Sequence, residues 1–213
     1  MRPPESWRRA RATLVIAAII AVAWTIAAAL GINDYFAIGG GFIPARASGL
    51  GVDFPAAPVF LTPLTATFVH AGFVHLAFNL LILLFCGRAV ENILGPAALV
   101  VLFVTGAYAA AAAQYLVGPQ DVTPMVGASG AISAIIGTYA ILFGRNRVKI
   151  ANPKLALWVN ALWLAAAWVA LQLLIGLTLG DGVERIAYAA HIGGFLSGLL
   201  LAKPLLIFRY RKA

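Results

Sequence analysis

The strongest pattern along the chain is a set of long apolar runs free of Asp, Glu, Lys and Arg, at residues 12–30, 62–87, 97–117, 122–144, 155–180 and 186–202. Runs of about 18 apolar residues are long enough to cross the hydrocarbon core of a bilayer as helices. The pattern therefore predicts an all-α polytopic membrane protein with six spans, organised as a single membrane domain over residues 1–213. Helices are expected at about 12–30, 62–87, 97–117, 127–144, 155–180 and 186–207. The long first loop, 31–61, holds Gly39, Gly40, Gly41, Pro44, Pro55 and Pro58, a composition that suits a partly ordered connection better than a seventh span. Arg8, Arg9 and Arg11 precede the first run as they would in a secretory signal. The run itself exceeds a roughly 7–15-residue h-region and more spans follow, so it reads as a retained helix.

Composition narrows the class. Of 213 residues, 62% are hydrophobic and 10% are charged, with a net charge of +8. A basic balance can mean nucleic acid, but these Lys and Arg residues lie between apolar runs, where they set topology. Arg2, Arg8, Arg9, Arg11, Arg88, Arg145, Arg147, Lys149, Lys154, Lys203, Arg209, Arg211 and Lys212 fall on one side of a six-span arrangement. Of the 15 basic residues, only Arg46 and Arg185 fall on the other. The positive-inside bias then puts both termini in the cytoplasm. The single cysteine, Cys86, excludes an internal disulfide framework and a Cys-rich metal site.

All three histidines lie inside apolar runs: His70 and His75 in HAGFVHLAFNLL, His191 in YAAHIGGFLSGLLLA. Polar groups in a span are costly and face a bundle interior or a water-filled cavity. His75 and Asn79 are spaced i, i+4 and share one helix face, with His70 nearer the non-cytoplasmic start of that helix. Taken singly, such residues are equally well explained as cross-helix hydrogen-bonding groups. A second cluster, GASGAISAIIG at 127–137, starts with Gly127 and puts Ser129 at a helix N-terminus, where outward-pointing N–H groups favour negative charge. Gly130, Ala134 and Gly137 form a stripe of small residues on that helix, and Gly194 and Gly198 form another after His191. Such faces let helices approach closely in lipid. If these two stripes pack together, Ser129 and His191 come within hydrogen-bonding reach.

These residues fit acyl transfer. A serine hydroxyl is a poor nucleophile until a base takes its proton, and neutral histidine suits that task near pH 7. The tetrahedral intermediate needs donors at its oxyanion, for which Asn79, His75 and the Ser129 backbone N–H are candidates. The acidic residues, Glu5, Asp34, Asp53, Glu91, Asp121, Asp181 and Glu184, lie at helix ends or in loops, so a Ser–His dyad fits and a triad does not. No pair of intramembrane aspartates and no HExxH pattern occurs. Three histidines without a carboxylate base make a poor zinc site, so no metal or cofactor is expected. A small transporter fits less well, because no pair of similarly interrupted segments suggests inverted repeats.

The motifs FVHAGFVHLAFNLLILLFCGRAVE, GASG and AHIGGFLSG, in that order, resemble the helix 2, nucleophile and helix 6 motifs of the rhomboid intramembrane serine proteases, over residues 60–200. The resemblance implies Ser129 as nucleophile, His191 as general base, and His75, Asn79 and the Ser129 backbone as oxyanion donors. His70 would have a structural or water-network role, Gly127, Gly130, Gly194 and Gly198 would support the site, and Glu91 would tie neighbouring loops together where helix 2 closes. It further implies a nucleophile below the membrane surface, in a water-filled cavity open to the non-cytoplasmic side, with helix 5 beside the lateral access route. The expected activity is cleavage of single-span transmembrane proteins in or near the span. Partners would be those substrates and membrane lipid, with no nucleic acid, and the location a bacterial inner membrane. The alternative within the family is a catalytically silent protein that binds transmembrane helices. Silent relatives usually lack the serine or the helix 6 histidine, and this chain has both.

Two positions depart from the family pattern. Many members carry Trp-Arg ahead of the first histidine where this chain has Leu61-Thr62, which bears on how the first loop is anchored. An aromatic often stands one turn after the nucleophile and packs on the imidazole; here that position is Ser133, which bears on how His191 is held. Tyr188, one turn before His191, is a candidate substitute.

Overall fold

A computed structural model of the chain describes residues 6–7, 10–144 and 188–211, with isolated positions between 152 and 170. Among these residues the regular structure is helical, and strand-like pairing is confined to an isolated bridge between Phe42 and Met125. The helices run α1 (Arg11–Ala29), α2 (Asn33–Gly40), α3 (Pro44–Ala47), α4 (Thr62–Thr65), α5 (Phe73–Ile82), α6 (Arg88–Leu94), α7 (Pro96–Val117), α8 (Ser129–Phe143) and α9 (Tyr188–Tyr210). A π-helical turn, Leu83–Gly87, joins α5 to α6, so Phe73–Leu94 is one apolar rod. That rod, α1, α7 and α9 are the four helices among the described residues long and apolar enough to cross a membrane. The chain is an integral membrane protein. The span expected at 155–180 lies largely outside the described residues.

The second long helix departs from its apolar run at both ends. Residues 62–68 form a separate short helical segment, and the backbone is extended at Val69 and Gly72 before α5 starts. Pro63 sits in the first turn of α4, where its missing N–H costs nothing. At the far end the helix runs through Arg88 and Glu91 to Leu94, where the N-terminal segment meets both charged side chains. The Arg88 guanidinium lies 4.5 Å over the Trp7 ring. One Glu91 oxygen accepts the Ala12 N–H at 2.8 Å, and the other accepts the Thr13 N–H at 2.8 Å and the Thr13 hydroxyl at 2.7 Å. First-turn N–H groups lack partners within their own helix and favour a negative charge. Ala10, at the N-cap of α1, has no side chain to supply one; the carboxylate of α6 does so instead. Glu91 is buried, and the Tyr210 hydroxyl donates to the Ile93 carbonyl at 3.0 Å. The start of α1, the end of α6 and the end of α9 therefore meet at one end of the bundle.

The first loop is more ordered than its Gly and Pro content suggests. It folds α2 and α3 onto the connection that precedes α8: Phe42 and Met125 exchange backbone bonds of 3.0 and 2.8 Å, and the Ala45 N–H donates to the Asp121 carbonyl at 3.0 Å. The Thr65 hydroxyl donates to the Gly40 carbonyl at 2.6 Å. At the Leu61-Thr62 departure, the buried Thr62 hydroxyl turns back onto the Val59 carbonyl at 2.7 Å.

Helix α8 occupies the centre. Its residues from Gly130 to Ile135 are all buried, and Ile132 and Ile135 share a core with Leu83, Leu99 and Leu102. A β-carbon at Gly106 of α7 would stand 2.6 Å from the Ala134 β-carbon and 2.9 Å from the Ala131 carbonyl. In lipid, where apolar burial alone does not draw helices together, this close backbone approach supplies the packing.

Candidate active site

Ser129 is the first residue of α8. The chain reaches it through Gly127, whose φ of +108° lies in the region that glycine alone adopts freely. The Gly127 N–H is tied to the Ala66 carbonyl at 2.9 Å. On the facing helix, Gly194 and Gly198 set the approach. A β-carbon at Gly194 would overlap the Gly130 carbonyl oxygen, one at Gly198 the Ala134 carbonyl, and one at Gly137 the Phe195 carbonyl. The Thr138 hydroxyl adds a bond to the Gly198 carbonyl at 3.0 Å. The small-residue stripes of α8 and α9 are thus in backbone contact. That contact carries His191, one turn before Gly194, to Ser129, with 2.7 Å between the imidazole Nε2 and the serine Oγ.

The other side of Ser129 is built by α5 and the segment before it. The His75 ring lies against Gly127, so that a β-carbon at 127 would stand 2.7 Å from His75 Cε1 and 2.8 Å from Nε2. Asn79 is buried and its Nδ2 donates to the His75 carbonyl one turn back at 2.9 Å. A carboxamide has two N–H donors, so this bond leaves the second for a further acceptor. His70 is buried, and its Nε2 accepts the Ala128 N–H at 3.4 Å. Its ring meets His75 edge-on, with centroids 5.1 Å apart. His70 therefore braces both the residue before Ser129 and the neighbouring imidazole. The N–H groups of the first turn of α8 have no acceptor within their helix and form the positive end of its dipole.

Two contacts at the site carry no signal in the sequence. The buried Ser133 hydroxyl donates to the Ser129 carbonyl at 2.8 Å. The Trp168 indole packs against His191, with centroids 6.5 Å apart and planes tilted by 56°. The run 155–180 contains Trp158, Trp163 and Trp168, and nothing in their spacing singles out the third. Among the described residues, no group of three or more His, Cys, Asp or Glu side chains could hold a metal ion.

A helical membrane bundle with a part-buried serine–imidazole pair at the head of a central helix defines the class of protein. Residues 59–208 match the Rhomboid domain model, and the chain belongs to the rhomboid family. It is 31% identical to the Rhomboid protease GluP of Bacillus subtilis (strain 168) over 142 residues, covering 67% of this chain and 25% of that protein. It is 30% identical to RHOMBOID-like protein 4 of Arabidopsis thaliana over 145 residues, or 68% of this chain and 34% of the relative. With RHOMBOID-like protein 5 of the same plant the identity is 28% over 145 residues, 68% of this chain and 43% of the relative. The matched region is thus less than half of each of these relatives.

Proposed function

We propose that the chain is an active intramembrane serine endopeptidase that cleaves single-span transmembrane proteins in or near the span. The observation that carries this reading is the 2.7 Å contact between Ser129 Oγ and His191 Nε2, in a family with members named as proteases. His191 takes the serine proton as Oγ adds to the scissile carbonyl carbon. The carbonyl oxygen becomes an oxyanion, for which Asn79, His75 and the Ser129 N–H are the donors. Collapse of the intermediate breaks the C–N bond, and the imidazolium passes its proton to the leaving amine. A water molecule then adds to the acyl-serine ester with His191 again as base, releasing the acid and restoring the hydroxyl.

The geometry of α8 suits this chemistry in lipid. Its 15 residues make a helix of roughly 22 Å, short of the ~30 Å hydrocarbon core. With six spans and both termini on the basic, cytoplasmic side, Ser129 sits below the opposite surface, where a cavity must admit water. The expected setting is a bacterial inner membrane. The test is labelling of the purified protein by a fluorophosphonate, which reacts only with an activated serine. Wild type is expected to label, and Ser129→Ala and His191→Ala are not. Absence of labelling in folded wild type, together with no cleavage of a transmembrane reporter in lipid, would replace this reading with that of a silent helix-binding relative.

A further inference from the structure

A general base works best when its ring is held in one orientation, and a hydrogen bond to the serine does not by itself fix the plane of an imidazole. Helix α8 cannot supply a ring to do this. One turn after the nucleophile stands Ser133, fully buried, its hydroxyl turned onto the Ser129 carbonyl and its β-carbon packed on Gly194. A ring comes from elsewhere. Trp168 meets His191 at 6.5 Å between centroids and 56° between planes, within the ~4.5–7 Å range of edge-to-face aromatic pairs. Trp168 also lines an apolar cavity together with Ile136 and Tyr139 of α8 and Phe195 of α9, so the indole stands beside the two helices that carry the pair. Its N–H is buried with no hydrogen-bond partner among the described residues. The feature in use is therefore the ring and not its polar edge.

We propose that Trp168 is a positioning residue for His191, its indole fixing the imidazole against Ser129 in place of an aromatic on α8. The proposal rests on the reading of Ser129 and His191 as a proteolytic pair. Trp168 acts on the base and not on the substrate, so its loss slows the chemical step and leaves binding unchanged. The experiment is saturation kinetics of fluorophosphonate labelling on the full chain, with melting temperature recorded, for wild type, Trp168→Phe, Trp168→Leu and Trp168→Met. The ringless Leu and Met variants are expected to lose about 3- to 10-fold in maximal labelling rate, with an unchanged half-saturating concentration. Trp168→Phe, which keeps an aromatic ring while giving up the N–H and part of the indole's area, is expected to stay within about twofold of wild type. Two ringless variants are included so that a folding failure in one leaves the other to decide. Equal rates for Phe and the ringless variants, or a change confined to the half-saturating concentration, would overturn the positioning role alone. Wild type without Ser129-dependent labelling would overturn both readings together.

Discussion

The imidazole of His75 rests on the bare Cα of Gly127, where a β-carbon would stand 2.7 Å from Cε1 and 2.8 Å from Nε2. The same glycine has a φ of +108°, so position 127 must meet a steric and a conformational demand at once. Gly127→Ala is expected to push the His75 ring aside, shift the start of α8 and destabilise the fold by roughly 1–2 kcal/mol. Fluorophosphonate labelling should fall by about tenfold or more. Labelling at the wild-type rate would show that the chemistry does not need His75 where it stands.

Asn79 spends one amide hydrogen on its own helix, at the His75 carbonyl. If the other serves the oxyanion, Asn79→Ala should lower turnover of a transmembrane reporter by roughly 10²–10³. A loss of only a few fold would assign the main share to His75 and the Ser129 N–H.

Glu91 lies at the other end of the bundle and accepts three hydrogen bonds from Ala12 and Thr13. Glu91→Gln keeps the size but turns an amide NH₂ toward donors and removes the charge at the start of α1. The expected cost is roughly 1–3 kcal/mol of stability, seen as a lower melting temperature in detergent. Labelling of the folded fraction should be unchanged; a loss of labelling at equal stability would mean that Glu91 acts on the site.

Gly198 has no room for any side chain, because the Ala134 carbonyl occupies the place of its β-carbon. Gly198→Leu must part α8 from α9, at a cost of about 3 kcal/mol or more, and draw His191 away from Ser129. Both melting temperature and labelling should fall. A variant as stable as wild type would contradict the packing of these two helices.

Much of this architecture is legible in the sequence, for physical reasons that differ by element. The long helices show because lipid demands uninterrupted apolar runs, and α7 (Pro96–Val117) starts directly after Gly95 and ends directly before Gly118. The meeting of α8 and α9 is written in the spacing of their small residues, since only glycine permits backbone contact at 194 and 198. The ends of the second helix are not legible. Extended backbone at Val69 and Gly72 delays its start, and Glu91, a charge beyond the end of the apolar run, is carried inside the helix by partners 78 and 79 residues away. The first loop gains its order in the same way, from backbone bonds between Phe42 and Met125. Trp168 is silent in sequence because its contact with His191 depends on how separate helices face one another.

The chain separates Ser129 from His191 by 62 residues, and the two reach each other only through the glycine faces of α8 and α9. Synthesis delivers the serine first. A nascent chain stalled ahead of α9 holds Ser129 without His191, and on the proposed reading such an incomplete product is inert. On the proposed reading, completion of the bundle is the event that brings the base to the nucleophile, so cutting activity does not precede a finished fold.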